Sequence, residues 1–152
     1  TIQAIKDWSN DAMLHEKHIR TFQSLPRPVN VLTTHSSWLM ASLTMGPNGL
    51  LSGAGSVIPD LQVALFRAVQ AGDLKAARAI NDRIVPLSQV FYAPPFLDMH
   101  NRMKEALVLL GRIDKAVVRP PLMKITDAEI ARIEGALGQA GIGRDGALKL
   151  AA

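Results

Sequence analysis

The chain has 152 residues, 48% of them hydrophobic and 20% charged, with a net charge of +4. That length holds one domain with a core of its own, and the composition is too apolar for a disordered chain. It has no cysteine, which excludes a disulfide framework, a thiolate metal site and a cysteine nucleophile and fits a cytoplasmic protein.

No apolar run approaches the length of a membrane span, and no signal peptide is visible, so a membrane partner is not expected. Lys and Arg are scattered among acids, and only seven aromatics are present (two Trp, one Tyr, four Phe). Nucleic acid is therefore not the expected partner, and the positive balance instead draws anionic metabolites. The chain opens on Thr1 and directly on a strand, so a preceding piece of protein is expected.

Residues 2–6 read as a strand ending at Lys6, followed at once by the polar, turn-prone Asp7-Trp8-Ser9-Asn10-Asp11. Residues 11–24 read as a helix with Asp11 as N-cap and Leu14, His18 and Phe22 at helical spacing. Pro26-Arg27-Pro28 breaks it, and the β-branched run 29–33 is a second strand. A helix over 36–45, a turn at Gly46-Pro47-Asn48-Gly49 and a short strand over 50–52 complete an alternating pattern of parallel βα units.

From Pro59 the pattern is helical. Helices are expected over 60–71, ended by Gly72; over 74–90, kinked or divided by Pro86; over 99–110, closed by Gly111; and from a capping box at Thr126-Asp127-Ala128-Glu129 to about 140. Residues 144–152 read as a flexible tail.

A lysine at the C-terminal end of a strand, before a loop and a helix, stands where a (β/α)8 barrel keeps its chemistry, and an amine there can form a Schiff base with a keto acid. Three parallel strands cannot close a barrel, which usually takes about 250 residues. Rival constellations are weak. His15 and His18 lie three apart on a helix with no third ligand evident, so no metal is expected. Gly53-Ala54-Gly55 does not complete a dinucleotide fingerprint, since residue 58 is Ile. No cofactor is expected.

Ala4-Ile5-Lys6-Asp7-Trp8-Ser9-Asn10 resembles the segment around the Schiff-base lysine of the dihydrodipicolinate synthase and N-acetylneuraminate lyase family. Gly46-Pro47-Asn48-Gly49-Leu50-Leu51-Ser52, Gly72-Asp73 with Ala76-Ala77-Arg78, Lys104-Glu105-Ala106-Leu107 with Gly111, and Arg119-Pro120-Pro121-Leu122 resemble further family segments in order. The resemblance covers roughly residues 2–142. It implies an α/β fold, the C-terminal part of a TIM (β/α)8 barrel (strands six to eight) followed by an all-helical domain. Residues 1–71 would be the partial barrel, 72–143 the helical domain and 144–152 the tail.

The resemblance makes Lys6 the imine-forming residue, whose amine must be neutral to attack a carbonyl. It places the tyrosine proton relay and the Thr-Thr or Ser-Thr pair that binds the keto-acid carboxylate on strands before Lys6, outside this chain; Tyr92 is not a match. Activity then needs the missing N-terminal part of the barrel. After strand seven the chain has Thr33-Thr34-His35-Ser36-Ser37, a departure from Gly-Asp-Asp or Gly-Tyr-Asp-Glu. Thr34, His35 and Ser36 either hydrogen-bond the hydroxyls of a sugar-derived acid or, for His35 and Ser36, merely cap the next helix. Leu51, Ser52 and Gly53 are expected beside the imine, and Trp8 narrows the site.

The implied function is a Schiff-base lyase acting on pyruvate or a 2-keto-3-deoxy sugar acid by aldol cleavage or dehydration. The loop tilts the reading toward a sugar acid and away from dihydrodipicolinate synthase. The other reading is a non-catalytic fragment or degenerate homologue that serves oligomerisation or small-molecule binding. Family resemblance implies a homo-oligomer, a tetramer.

Overall fold

The computed structural model describes residues 1–144. Strands β1 (Ala4–Asp7), β2 (Asn30–Thr33) and β3 (Gly49–Leu50) pair in parallel in that order. Helix α1 (Ala12–Phe22) connects the first two and α2 (Leu39–Thr44) the last two. Helices α3 (Pro59–Gln70), α4 (Leu74–Phe91), α5 (Met99–Leu109) and α6 (Asp127–Gln139) follow.

The register aligns Lys6 with Leu32 and Gly49, and Asp7 with Thr33 and Leu50. Successive side chains of a strand point to opposite faces. Lys6 is accordingly exposed on one face while its neighbour Asp7 is buried on the other. β1 is an edge strand: among the described residues it pairs with β2 alone.

Local chemistry sets the boundaries. Asn10 takes a left-handed φ of 55°, and Asp11 then accepts the Leu14 N–H at 3.0 Å to start α1. Gly72, at φ 70°, ends α3; the Asp73 N–H reaches the Ala68 carbonyl at 3.0 Å, and the Asp73 carboxylate accepts the Ala76 N–H at 2.9 Å to start α4. Thr126 accepts the Glu129 N–H at 3.3 Å at the head of α6.

Three expectations change. The helix expected over 36–45 begins as a 3-10 turn, Ser36–Trp38, because Trp38 (φ −143°, ψ 42°) leaves helical backbone geometry before α2 starts. The third strand is Gly49–Leu50; one further bond, Leu51 N–H to Thr33 O at 2.8 Å, precedes the 3-10 turn Gly53–Ser56. Pro86 does not divide its helix, for α4 runs unbroken through it. Interior proline costs about 3 kcal/mol. Ile84 and Leu87 on either side are 2% and 0% exposed, and burying two such side chains contributes about 1.5–3 kcal/mol each.

One apolar cluster extends from Leu39 and Leu43 of α2 through Leu61, Leu65, Ile84, Leu87, Phe91 and Met103 to Ile133 and Leu137 of α6. It runs through the 71/72 boundary, because α3 packs along α4. The tail expected over 144–152 lies, apart from Arg144, outside the described residues; the Arg144 Nε–H donates to the Leu109 carbonyl at 3.3 Å. Among the described residues no helix is long and apolar enough to cross a membrane.

Candidate active site

Lys6 opens onto a cleft of about 240 Å³ shared with Trp8, Thr34, Gly53, Tyr92, Met99, His100 and Met103. Strand ends supply Lys6 and Thr34, the turn after β3 supplies Gly53, and α4 and α5 close the far side. Trp8 packs on Phe96 with ring centroids 5.7 Å apart, and Phe96 on Tyr92 at 6.0 Å. These rings tie the loop after β1 to the helical part of the chain. The Tyr92 hydroxyl oxygen accepts the Ala54 N–H at 3.2 Å, which holds the Gly53 turn against the cleft.

Of the residues expected at the site, Lys6, Thr34 and Gly53 meet at this cleft, and Trp8 lines it. His35, Ser36 and Ser52 face elsewhere. His35 is 1% exposed and stacks on Trp38 at 4.4 Å. The Ser36 and Ser52 hydroxyls lie 2.5 Å apart, and Gln62 Nε2 donates to Ser52 at 2.9 Å. Those hydroxyls are spent on bracing the loop beneath Gly53. The capping alternative does not describe them either: His35 makes no capping bond, and Ser36 donates back to the Thr34 carbonyl at 3.2 Å. Leu51 is half exposed and outside the cleft lining.

Burial of Lys6 is not provided by residues 1–144, which leave it exposed. An added Cβ at Gly53 would touch Met103 and the Tyr92 hydroxyl at 3.5 Å, ordinary contact distance, so the glycine keeps the cleft open without being sterically obligatory.

Sequence reasoning missed Tyr92, Met99, His100 and Met103, which only tertiary packing brings to Lys6. It also passed over Asp7, for which period-two alternation was the available signal: if Lys6 faces the cleft, Asp7 must face the interior. There Asp7 accepts the Ser9 N–H at 2.9 Å and meets His15 Nδ1 at 2.6 Å and His18 Nδ1 at 3.1 Å. Burial pushes its pKa up, but the hydrogen bonds from His15, the Ser9 backbone and His18 outweigh this and hold the carboxyl well below the ordinary carboxylate range. Burial pushes the His35 pKa down; His15 adds to the effect and Asp7 opposes it.

Residues 1–140 match the dihydrodipicolinate synthetase family. The chain belongs to that family. It is 37% identical over 103 residues to the 4-hydroxy-tetrahydrodipicolinate synthase of Nitrobacter hamburgensis, an alignment covering 68% of this chain and 33% of the relative. It is 27% identical over 139 residues to Escherichia coli YagE, covering 91% of this chain and 45% of the relative. The crystal structure of YagE in complex with pyruvate superposes with a TM-score of 0.79 over 93% of this chain and 47% of that one. The dihydrodipicolinate synthase of Thermotoga maritima, 20% identical, shares the fold, with a TM-score of 0.80 over 91% of this chain and 46% of that one.

The chain thus spans about a third to just under half of the length of its relatives in the family. Its three parallel βα units and trailing helices are the fold of part of a TIM-barrel enzyme of the dihydrodipicolinate synthetase family.

Proposed function

We propose that this chain supplies the lysine-bearing side of a Schiff-base lyase acting on pyruvate or a 2-keto-3-deoxy sugar acid. The observation that carries the reading is Lys6 at the C-terminal end of β1, opening on a small cleft with Thr34, Gly53 and an aromatic wall. About 240 Å³ suits a short acid rather than a large cofactor. YagE, crystallised with pyruvate and provisionally named a 2-dehydro-3-deoxy-D-gluconate aldolase, supports the substrate class.

In the proposed reaction the neutral Lys6 amine attacks the 2-keto carbon, and the carbinolamine loses water to give a protonated imine. That imine draws electrons from the bond beyond C3, so an aldehyde leaves, or it acidifies the C3 proton, so a hydroxyl leaves as water. Each route needs a proton relay. In this reading the relay, the carboxylate-binding hydroxyls and the cover that buries Lys6 come from barrel strands outside this chain. Cytoplasmic location and assembly as a homo-oligomer belong to the same proposal.

The alternative is a non-catalytic module that binds small molecules or a partner; the family match and the likeness to YagE favour the lyase. Borohydride trapping with pyruvate and with a 2-keto-3-deoxy sugar acid, read by peptide mass spectrometry, separates the two. The chain is tested alone and completed with the preceding barrel strands of YagE. A reduced adduct on Lys6 of the completed, folded barrel is the expected result. Its absence there overturns the lyase reading.

A further inference from the structure

Three of the chain's four histidines converge on one carboxylate. Asp7 lies on the face of the sheet opposite Lys6. Its Oδ2 is 2.6 Å from His15 Nδ1 and 3.1 Å from His18 Nδ1, and its Oδ1 is 3.8 Å from His35 Nε2. One donor atom from each of Asp7, His15 and His35 lies within 4.8 Å of the others, and none of the three residues is more than 2% exposed. His15 Nε2 and both ring nitrogens of His35 have no hydrogen-bond partner among the described residues. Buried polar atoms left unpaired are costly. A neutral imidazole carries one lone pair, so His15 and His35 can each offer one nitrogen to a bound ion.

We propose that Asp7, His15 and His35 bind one divalent transition-metal ion of the zinc class, with His18 completing the shell on the solvent side. The donor chemistry selects the ion. Imidazole with a single carboxylate suits zinc and its neighbours, whereas calcium and magnesium call for shells of oxygen. Bonds of about 2.0–2.1 Å put tetrahedral donors roughly 3.3 Å apart. The Asp7–His15 pair, at 2.6 Å, therefore opens and the Asp7–His35 pair, at 3.8 Å, closes, each by on the order of half an ångström, within the reach of rotamer adjustment on three separate segments. His18, with a quarter of its side chain exposed, gives the ion a way in.

Such an ion fastens β1, α1 and the loop after β2 to one another. It sits behind the strand from Lys6 and takes no part in imine chemistry, so the inference stands whether or not the lyase proposal does.

The test is titration of the metal-stripped 152-residue chain with Co²⁺, followed by displacement with Zn²⁺. One equivalent of Co²⁺ with the visible absorption of a tetrahedral site is expected. In imidazole ¹⁵N spectra of the same wild-type chain, Zn²⁺ is expected to shift His15, His18 and His35 and leave His100 in place. His35→Ala is expected to weaken binding at least tenfold. If that variant does not fold, His18→Ala, at the partly exposed rim, is expected to weaken it several-fold. Failure of the folded chain to take up a stoichiometric ion, or uptake that leaves those three histidines unshifted, overturns the site.

Discussion

Residues 1–44 bury four apolar side chains (Ile19, Val31, Leu39, Leu43) and seven polar ones (Asp7, His15, Thr33, Thr34, His35, Ser36, Ser42). In residues 45–144 the balance reverses, with eighteen apolar and five polar. Apolar burial is non-directional and scales with area, so it stabilises without fixing one geometry. Polar burial stabilises only when each donor finds its acceptor, and it therefore selects a single arrangement. The helical part holds the chain together, while the strand ends hold side chains in position.

The largest expected effect breaks the apolar side of this contrast. Phe91, 0% exposed, lies at the C-terminal end of α4. Phe91→Ala should lower the unfolding free energy by about 3–5 kcal/mol in denaturant titration. A cost below about 1 kcal/mol would mean that the helices are not where stability resides.

Arg102 is one of the five polar exceptions within the helical part. At 2% exposure it donates to the carbonyls of Ala93, Pro94 and Pro95 and to Glu129. Arg102→Met preserves volume but strands those acceptors, and a loss of about 2–4 kcal/mol is expected in thermal or denaturant unfolding. No loss would show that even this polar cluster is dispensable beside the apolar core.

Asp7→Asn, studied with chelator present, should cost about 1–3 kcal/mol. Hydrogen exchange should show faster opening of β1 and α1 with α4 unchanged, the pattern expected of local opening. Uniform acceleration across both would erase the contrast. Thr126→Ala removes the α6 cap and should cost about 1 kcal/mol by denaturant unfolding. Gly53→Ala is the smallest: stability should change by within about 0.5 kcal/mol. Its methyl would nevertheless enter the Lys6 cleft, so borohydride trapping of pyruvate in the completed barrel should fall.

What could be read from sequence follows the same division. Asp11, Gly72-Asp73 and Thr126 act on their own neighbours, so the punctuation of α1, α4 and α6 was visible locally. Lys6 was visible because strand-end position and family resemblance pointed to one residue. The cleft wall was not, since Tyr92, His100 and Met103 reach Lys6 only when α4 and α5 fold back over the sheet. His35 was misplaced for a related reason. It follows β2 in a loop that sequence leaves free to turn either way, and stacking on Trp38 turns its ring inward. His15 and His18 lacked a third ligand on paper because Asp7 and His35 join them only through β1–β2 pairing.

Among the described residues one side of β1 is unpaired. A strand with free N–H and C=O groups is a template for one more strand. Whatever chain adds there becomes the next-door neighbour of Lys6, and its side chains on that face decide how much water the amine keeps. Edge protection and burial of the Lys6 amine are then one molecular event, so loss of the neighbouring strand would expose a sticky edge and return the amine to water together.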